Sequence, residues 1–154
     1  PCAGISYSYA MACDLVLMAE SSYLYQPFVG IGLVPDGGAT WLLPHLIGSK
    51  RAYELMALGE KVSAEKAVEW GLANRVLADD DFAQASMAFA QDLSERSPLA
   101  LRYTKEALNF SAAHNLSDTI SKEAALQSIC IGSADSKEAI TAFFEKRTPA
   151  WKGQ

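Results

Sequence analysis

Phe28-Val29-Gly30-Ile31-Gly32-Leu33-Val34-Pro35-Asp36-Gly37-Gly38 is the stretch on which the fold of this chain turns. Its glycines and proline require a loop with special backbone angles. Ala39 to Leu46 then reads as a short helix, which Pro44 should bend or end early. A strand-to-helix turn needing positive φ explains the glycines, but it leaves unexplained a carboxylate among them. Asp36 therefore has two readings, a cap on the following helix or a reactive group. The stretch is no phosphate-binding P-loop, since no lysine follows the glycines in the required position.

Working outward, Ala3 to Cys13 is rich in small residues and suits a tightly packed helix. Asp14 to Ala19 is a short apolar run, expected as a strand buried on both faces. Ser22 to Tyr25 offers a second short strand. At Gly4-Ile5-Ser6 the N–H groups of a helix start lack intrahelical partners and point where an anion can sit. Close helix packing is the commoner use of such a glycine. The second half reads as helical. Ser63 caps a helix carrying Ala64, Ala67 and Val68, with Glu65 in its first turn. Asp81 caps Phe82 to Leu93, where Phe82, Phe89 and Leu93 share a face. Ser97-Pro98 starts a helix through Leu108, and Ser117 begins another that ends at Gly132. Ile140, Phe143 and Phe144 form a last apolar stripe. The expected class is α/β passing into an all-helical C-terminal region.

The chain has 154 residues, half of them apolar, and a net charge of −5. That length buries a single core. The acidic balance gives no basic patch for nucleic acid or an anionic membrane, and no apolar run approaches a bilayer span. Cys2, Cys13 and Cys130 are odd in number, with no CxxC, which favours a reducing compartment, here the cytoplasm, over a disulfide framework. Two distant histidines, His45 and His114, give a metal site little to build on. The opening Pro1-Cys2-Ala3-Gly4 has no Met and reads as though entered in mid-fold.

Taken together, several stretches resemble the enoyl-CoA hydratase/isomerase (crotonase) superfamily. They are Ala3-Gly4 with Ala10 to Leu15, then Tyr25-Gln26-Pro27-Phe28 with Gly30 to Thr40. Leu42-Leu43-Pro44 and Leu46-Ile47-Gly48 follow, then Ala64 to Leu72 with Asn74-Arg75-Val76, and finally Phe143 to Arg147. They stand in the family's order across nearly the whole chain. The glycine loop is most similar to the PaaG-like isomerase branch of phenylacetate breakdown.

The resemblance implies the C-terminal part of a ββα spiral over 1–95 and a helical oligomerisation region over 96–154, building trimers or hexamers. It implies acyl-CoA substrates, with CoA as part of the substrate and no separate cofactor or metal. It also implies an oxyanion hole of two backbone N–H groups. Ile5 supplies the second, with Gly4 allowing close approach, while the first belongs to a loop upstream of Pro1. The two hydratase glutamates of the family correspond to Ser8 and Phe28, which cannot share the proton transfers of hydration. Asp36 occupies a third position, where isomerases place a base and a dehalogenase branch its nucleophile. An ordinary Asp carboxyl titrates near ~3.9, and partial burial beside Phe28 and Trp41 should raise it. Ser8 and Phe28 line the substrate site, with Tyr7 beside them as wall packing; Lys146 corresponds to a lysine meeting the CoA phosphates and Phe143 to an aromatic beside the adenine. Phe143 is equally a core residue of an amphipathic helix, Asp14 a structural acceptor, and His45 a surface or core residue. An enoyl-CoA isomerase is the leading expectation. A hydratase or acyl-CoA hydrolase of the same fold, or a non-catalytic acyl-CoA-binding or assembly module, are the alternatives.

Overall fold

A computed structural model describes all residues from Pro1 to Gln154. They form two compact units, 1–87 and 88–154. The division falls inside a helix, whereas the sequence boundary at 95/96 follows that helix's end.

The first unit opens with β1 (Cys2–Ala3), α1 (Ile5–Met11), β2 (Leu17–Ala19) and β3 (Tyr23–Tyr25). A 3-10 turn spans Val29–Ile31, and α2 (Ala39–Ile47) and α3 (Ser49–Leu58) follow. Then come β4 (Lys61–Ser63), α4 (Ala64–Glu69), β5 (Arg75–Leu77) and the start of α5 (Phe82–Ser94). Two small sheets result. In one, β3 lies between β1, parallel to it, and β4, antiparallel, so that Leu24 faces both Cys2 and Val62. In the other, β2 pairs in parallel with β5, Met18 opposite Val76. Asn74 sets the register of that pair, its N–H donating to the Val16 carbonyl at 2.8 Å and its Oδ1 accepting from the Val16 N–H at 2.7 Å.

The core gathers Tyr7 and Met11 of α1, Leu24, Leu43 of α2, Leu55 of α3, Val62 and the small faces of Ala64 and Ala67. Ser63 caps α4 as expected, its Oγ accepting from the Lys66 N–H at 3.3 Å. Three expectations need correction. β4 and β5 are strands inside the half read as helical; at three residues each they are too short to show a period. α3 is a helix where the sequence carries no expectation of one. Pro44 sits inside α2 without ending it, because Leu43 is fully buried and Leu42 and Ile47 pack on the core. Tertiary burial there outweighs the one lost backbone bond.

The second unit holds the rest of α5, α6 (Pro98–Ser111), α7 (Leu116–Gly132) and α8 (Ala134–Glu145). Ser97 caps α6, accepting from the Ala100 N–H. α7 starts one residue before the expected Ser117. Its cap is Asn115, whose Oδ1 accepts from the Asp118 N–H at 3.0 Å while its amide donates to the Asp118 carboxylate at 2.8 Å. The apolar stripe of α8 does not form a core: Ile140, Phe143 and Phe144 are exposed, and the buried positions are Ala142 and Asp135. No helix is long and apolar enough to cross a membrane.

Candidate active site

Gly4, at the head of α1, adopts φ 60°, ψ −130°. Its N–H donates to the Tyr25 carbonyl at 2.9 Å, tying the helix start to the end of β3. A side chain at Gly4 would be strained by that φ, and its Cβ would touch the Phe28 ring at 3.6 Å. Ile5 is the first residue of α1, so its N–H has no carbonyl to reach within the helix, and no side chain caps this end.

The glycine loop closes against the same helix. Gly37 has φ 63°, and a Cβ there would stand 2.9 Å from Ile5 Cγ1 and 3.0 Å from Ser8 Cβ. Only glycine combines that backbone angle with that proximity. Ser8, fully buried on α1, donates its hydroxyl to the Asp36 carbonyl at 2.8 Å. Gly4, Ile5, Ser8, Phe28 and Asp36, scattered over three stretches of sequence, thus form one wall.

Within it, Asp36 does not cap α2. The N-cap is Gly38, with no side-chain cap bond, and only the Asp36 carbonyl is engaged, by Ser8 and by the Ala39 N–H at 3.2 Å. The expected burial beside Phe28 and Trp41 is also corrected. Between 29 and 41 only Pro35 and Ala39 are buried, and Asp36 and Trp41 are both exposed. The loop is pinned by its backbone rather than covered. Ser8 is part of the wall, with its hydroxyl already engaged, and is not a free donor to a ligand. Phe28 is half-buried and presents its ring to Gly4.

Two neighbouring reactive groups, Tyr7 and Cys2, are unsuited to proton transfer or attack. Tyr7 is fully buried with an unpartnered hydroxyl, and burial holds its pKa well above the ordinary tyrosine range. Burial likewise raises the Cys2 thiol, which keeps it protonated and a poor nucleophile. His45 is exposed and stacks on Trp41, ring centroids 4.2 Å apart. No group of three or more His, Cys, Asp or Glu side chains converges to hold a metal ion.

Phe143 and Lys146 belong to the second unit. Phe143 is 78% exposed, which removes its reading as a core residue, and it meets Phe144 edge-on at 5.7 Å. Lys146 ends α8 with φ 54°, the one residue other than glycine at positive φ. The bond from Ser8 to the Asp36 carbonyl spans 28 positions and is not legible in the sequence. A small residue opposite a glycine was its only trace. The sequence likewise gives no sign that Ile31, Leu33 and Val34 lie exposed along the loop that carries Asp36.

The sequence profile of the Enoyl-CoA hydratase/isomerase family matches residues 2–154. The chain belongs to that family. It is 35% identical over 152 residues to the 1,2-epoxyphenylacetyl-CoA isomerase of Escherichia coli, a match covering 99% of this chain and 58% of that protein. It is 36% identical over 152 residues to a probable enoyl-CoA hydratase of Rhodobacter capsulatus, covering 99% and 59%. The crystal structure of an enoyl-CoA hydratase from Bacillus anthracis superposes with a TM-score of 0.94 at 32% identity, covering 99% of this chain and 59% of that one. The architecture is thus the crotonase fold with its helical C-terminal region, and the chain spans about three fifths of the length of these relatives. Hydratases and isomerases both stand among them. Family membership alone does not decide between the two reactions.

Proposed function

We propose that the full-length protein acts on acyl-CoA thioesters and moves the double bond of an enoyl-CoA by a 1,3-proton shift, with Asp36 as the base. The Asp36 carboxylate removes a proton from the carbon beside the thioester carbonyl. The electron pair left behind delocalises into that carbonyl as an enolate, which backbone N–H donors, Ile5 among them, stabilise. Asp36 then returns the proton two carbons farther along, so the double bond becomes conjugated and the carboxylate is regenerated. Upstream residues complete the oxyanion hole, and Gly4 and Phe28 shape the approach of the acyl group.

One observation carries this reading. The two positions at which the family's hydratases place glutamates hold Ser8 and Phe28, while a third position holds Asp36, whose carboxylate makes no hydrogen bond. Two carboxylates are needed to hold and activate a water molecule, whereas a proton shuttle needs only one. A hydratase or hydrolase reading would have to dispense with both glutamates.

The test is Asp36→Asn in the full-length protein, assayed with a 3-enoyl-CoA. Turnover should fall by ~10²- to 10⁴-fold, the scale of one general base, with little change in binding. Isomerisation at the wild-type rate, or efficient hydration of a 2-enoyl-CoA by the wild type, would refute the assignment.

We further propose that the helical unit assembles the protein into a trimer or hexamer. Its exposed Leu116, Ile129, Ile131, Phe143 and Phe144 support this. Light scattering that returns a monomer at micromolar concentration would exclude it.

A further inference from the structure

We propose that Ser8 is a positioning residue, holding Asp36 in place through the bond from its buried hydroxyl to the Asp36 carbonyl. The proposal rests on the reading of Asp36 as the base.

Serines on helices ordinarily donate to a carbonyl three or four residues back on their own helix. Five in this chain do so, namely Ser86, Ser94, Ser111, Ser121 and Ser128. Ser8 does not. Its Oγ reaches across 28 positions to the Asp36 carbonyl at 2.8 Å, from a site with no solvent exposure. A neutral hydroxyl bonded to a carbonyl in a buried site has no water to exchange with, so its bond is directional and persistent.

A second contact acts on the same peptide unit. Gly37 packs so closely on Ile5 and Ser8 that a Cβ would stand within 3.0 Å of both. The carbonyl of Asp36 and the Cα of Gly37 are therefore held from one helix face, on either side of a single peptide bond. Glycine imposes no side-chain limit on its own φ, so without the Ser8 bond the Asp36–Gly37 peptide could rotate. Its carbonyl would keep only the Ala39 N–H at 3.2 Å. A rotation there swings the Asp36 side chain, and a base displaced by about 1 Å can lose ~10²-fold in rate.

Ser8→Ala in the full-length protein tests this. The enzyme should fold, keep the KM for its enoyl-CoA, and lose roughly 10- to 100-fold in kcat. In the Asp36→Asn background the same substitution should cost nothing further, because the group it positions is already disabled. Should Ser8→Ala not fold, Ser8→Cys keeps the volume with a much weaker donor and should show the same pattern. Wild-type kcat in a folded Ser8→Ala or Ser8→Cys, or an equal loss in both backgrounds, would overturn the positioning role. If Asp36→Asn is impaired and Ser8→Ala is not, only the positioning role fails. If Asp36→Asn turns over at the wild-type rate, the base assignment fails first.

Discussion

Residues 1–87 bury fourteen apolar side chains in one cluster, whereas residues 88–154 bury only Leu126 and Ala142. The first unit is held by packing between α1, α2, α3 and two small sheets. The second is held more by polar anchors. Ser97, Asn115 and Ser133 cap its helices, and Asp135, almost fully buried, binds the chain end through the N–H groups of Lys152 and Gly153 at 2.7 and 3.0 Å. Its large apolar residues face outward instead. The difference teaches where each unit keeps its stability: the first in its own core, the second in its helix caps and the buried Asp135 anchor. The candidate active-site wall lies in the better-packed unit, which suits a site that must hold a base and a backbone donor in fixed relation.

If this contrast holds, substitutions should separate the units by size of effect. The largest should come from Leu43→Ala, which empties a fully buried position of the first unit. It should cost ~2–5 kcal/mol in chemical denaturation, and a loss below ~1 kcal/mol would mean that the core is less tight than described. Next, Asp135→Ala strands two backbone donors in the second unit and should cost ~1.5–3 kcal/mol. Amide exchange should accelerate at Lys152 and Gly153; unchanged protection there would remove the anchor role.

Phe144→Ala should change the stability of the chain itself by no more than ~0.5 kcal/mol, since the ring is exposed. It should nevertheless weaken any assembly through this face, read by light scattering across a dilution series. An assembly state unmoved by the substitution would show that the aromatic face does something else. The smallest effect should be pH-dependent. The Arg147 guanidinium and the Ala150 N–H pull the Glu138 carboxyl from its ordinary 4.5 to about 2. A lowered pKa contributes stability above the ordinary value and loses it as pH falls through the folded one. The Ala150 amide resonance of the folded protein should therefore titrate only as the pH approaches ~2. Glu138→Gln should abolish that shift, and a titration at the ordinary carboxylate pH would show that the pair does not persist in solution.

Local chemistry was legible where a few adjacent residues decide it. Ser63 and Ser97 cap helices because a hydroxyl one residue before a helix reaches its free N–H groups. The Gly37-Gly38 pair marks positive φ, observed at 63° and 88°. Ordered motifs from Gly4 to Arg147 carried the family, and with it the candidate residues. The strands β4 and β5 were hidden, because three residues carry no readable period and their pairing partners lie far away in sequence.

What the amino-acid sequence determined by itself is the identity of the groups available: Asp36 without its glutamate companions, a glycine before Ile5, and helices with apolar faces. Whether Asp36 caps a helix, whether Phe143 is core or surface, and what Ser8 holds were decided only by tertiary structure. Each depends on which distant residue stands opposite, and the Ser8 bond to the Asp36 carbonyl exists because α1 and the glycine loop pack face to face. A side chain's chemistry is local, but its partner is a property of the fold.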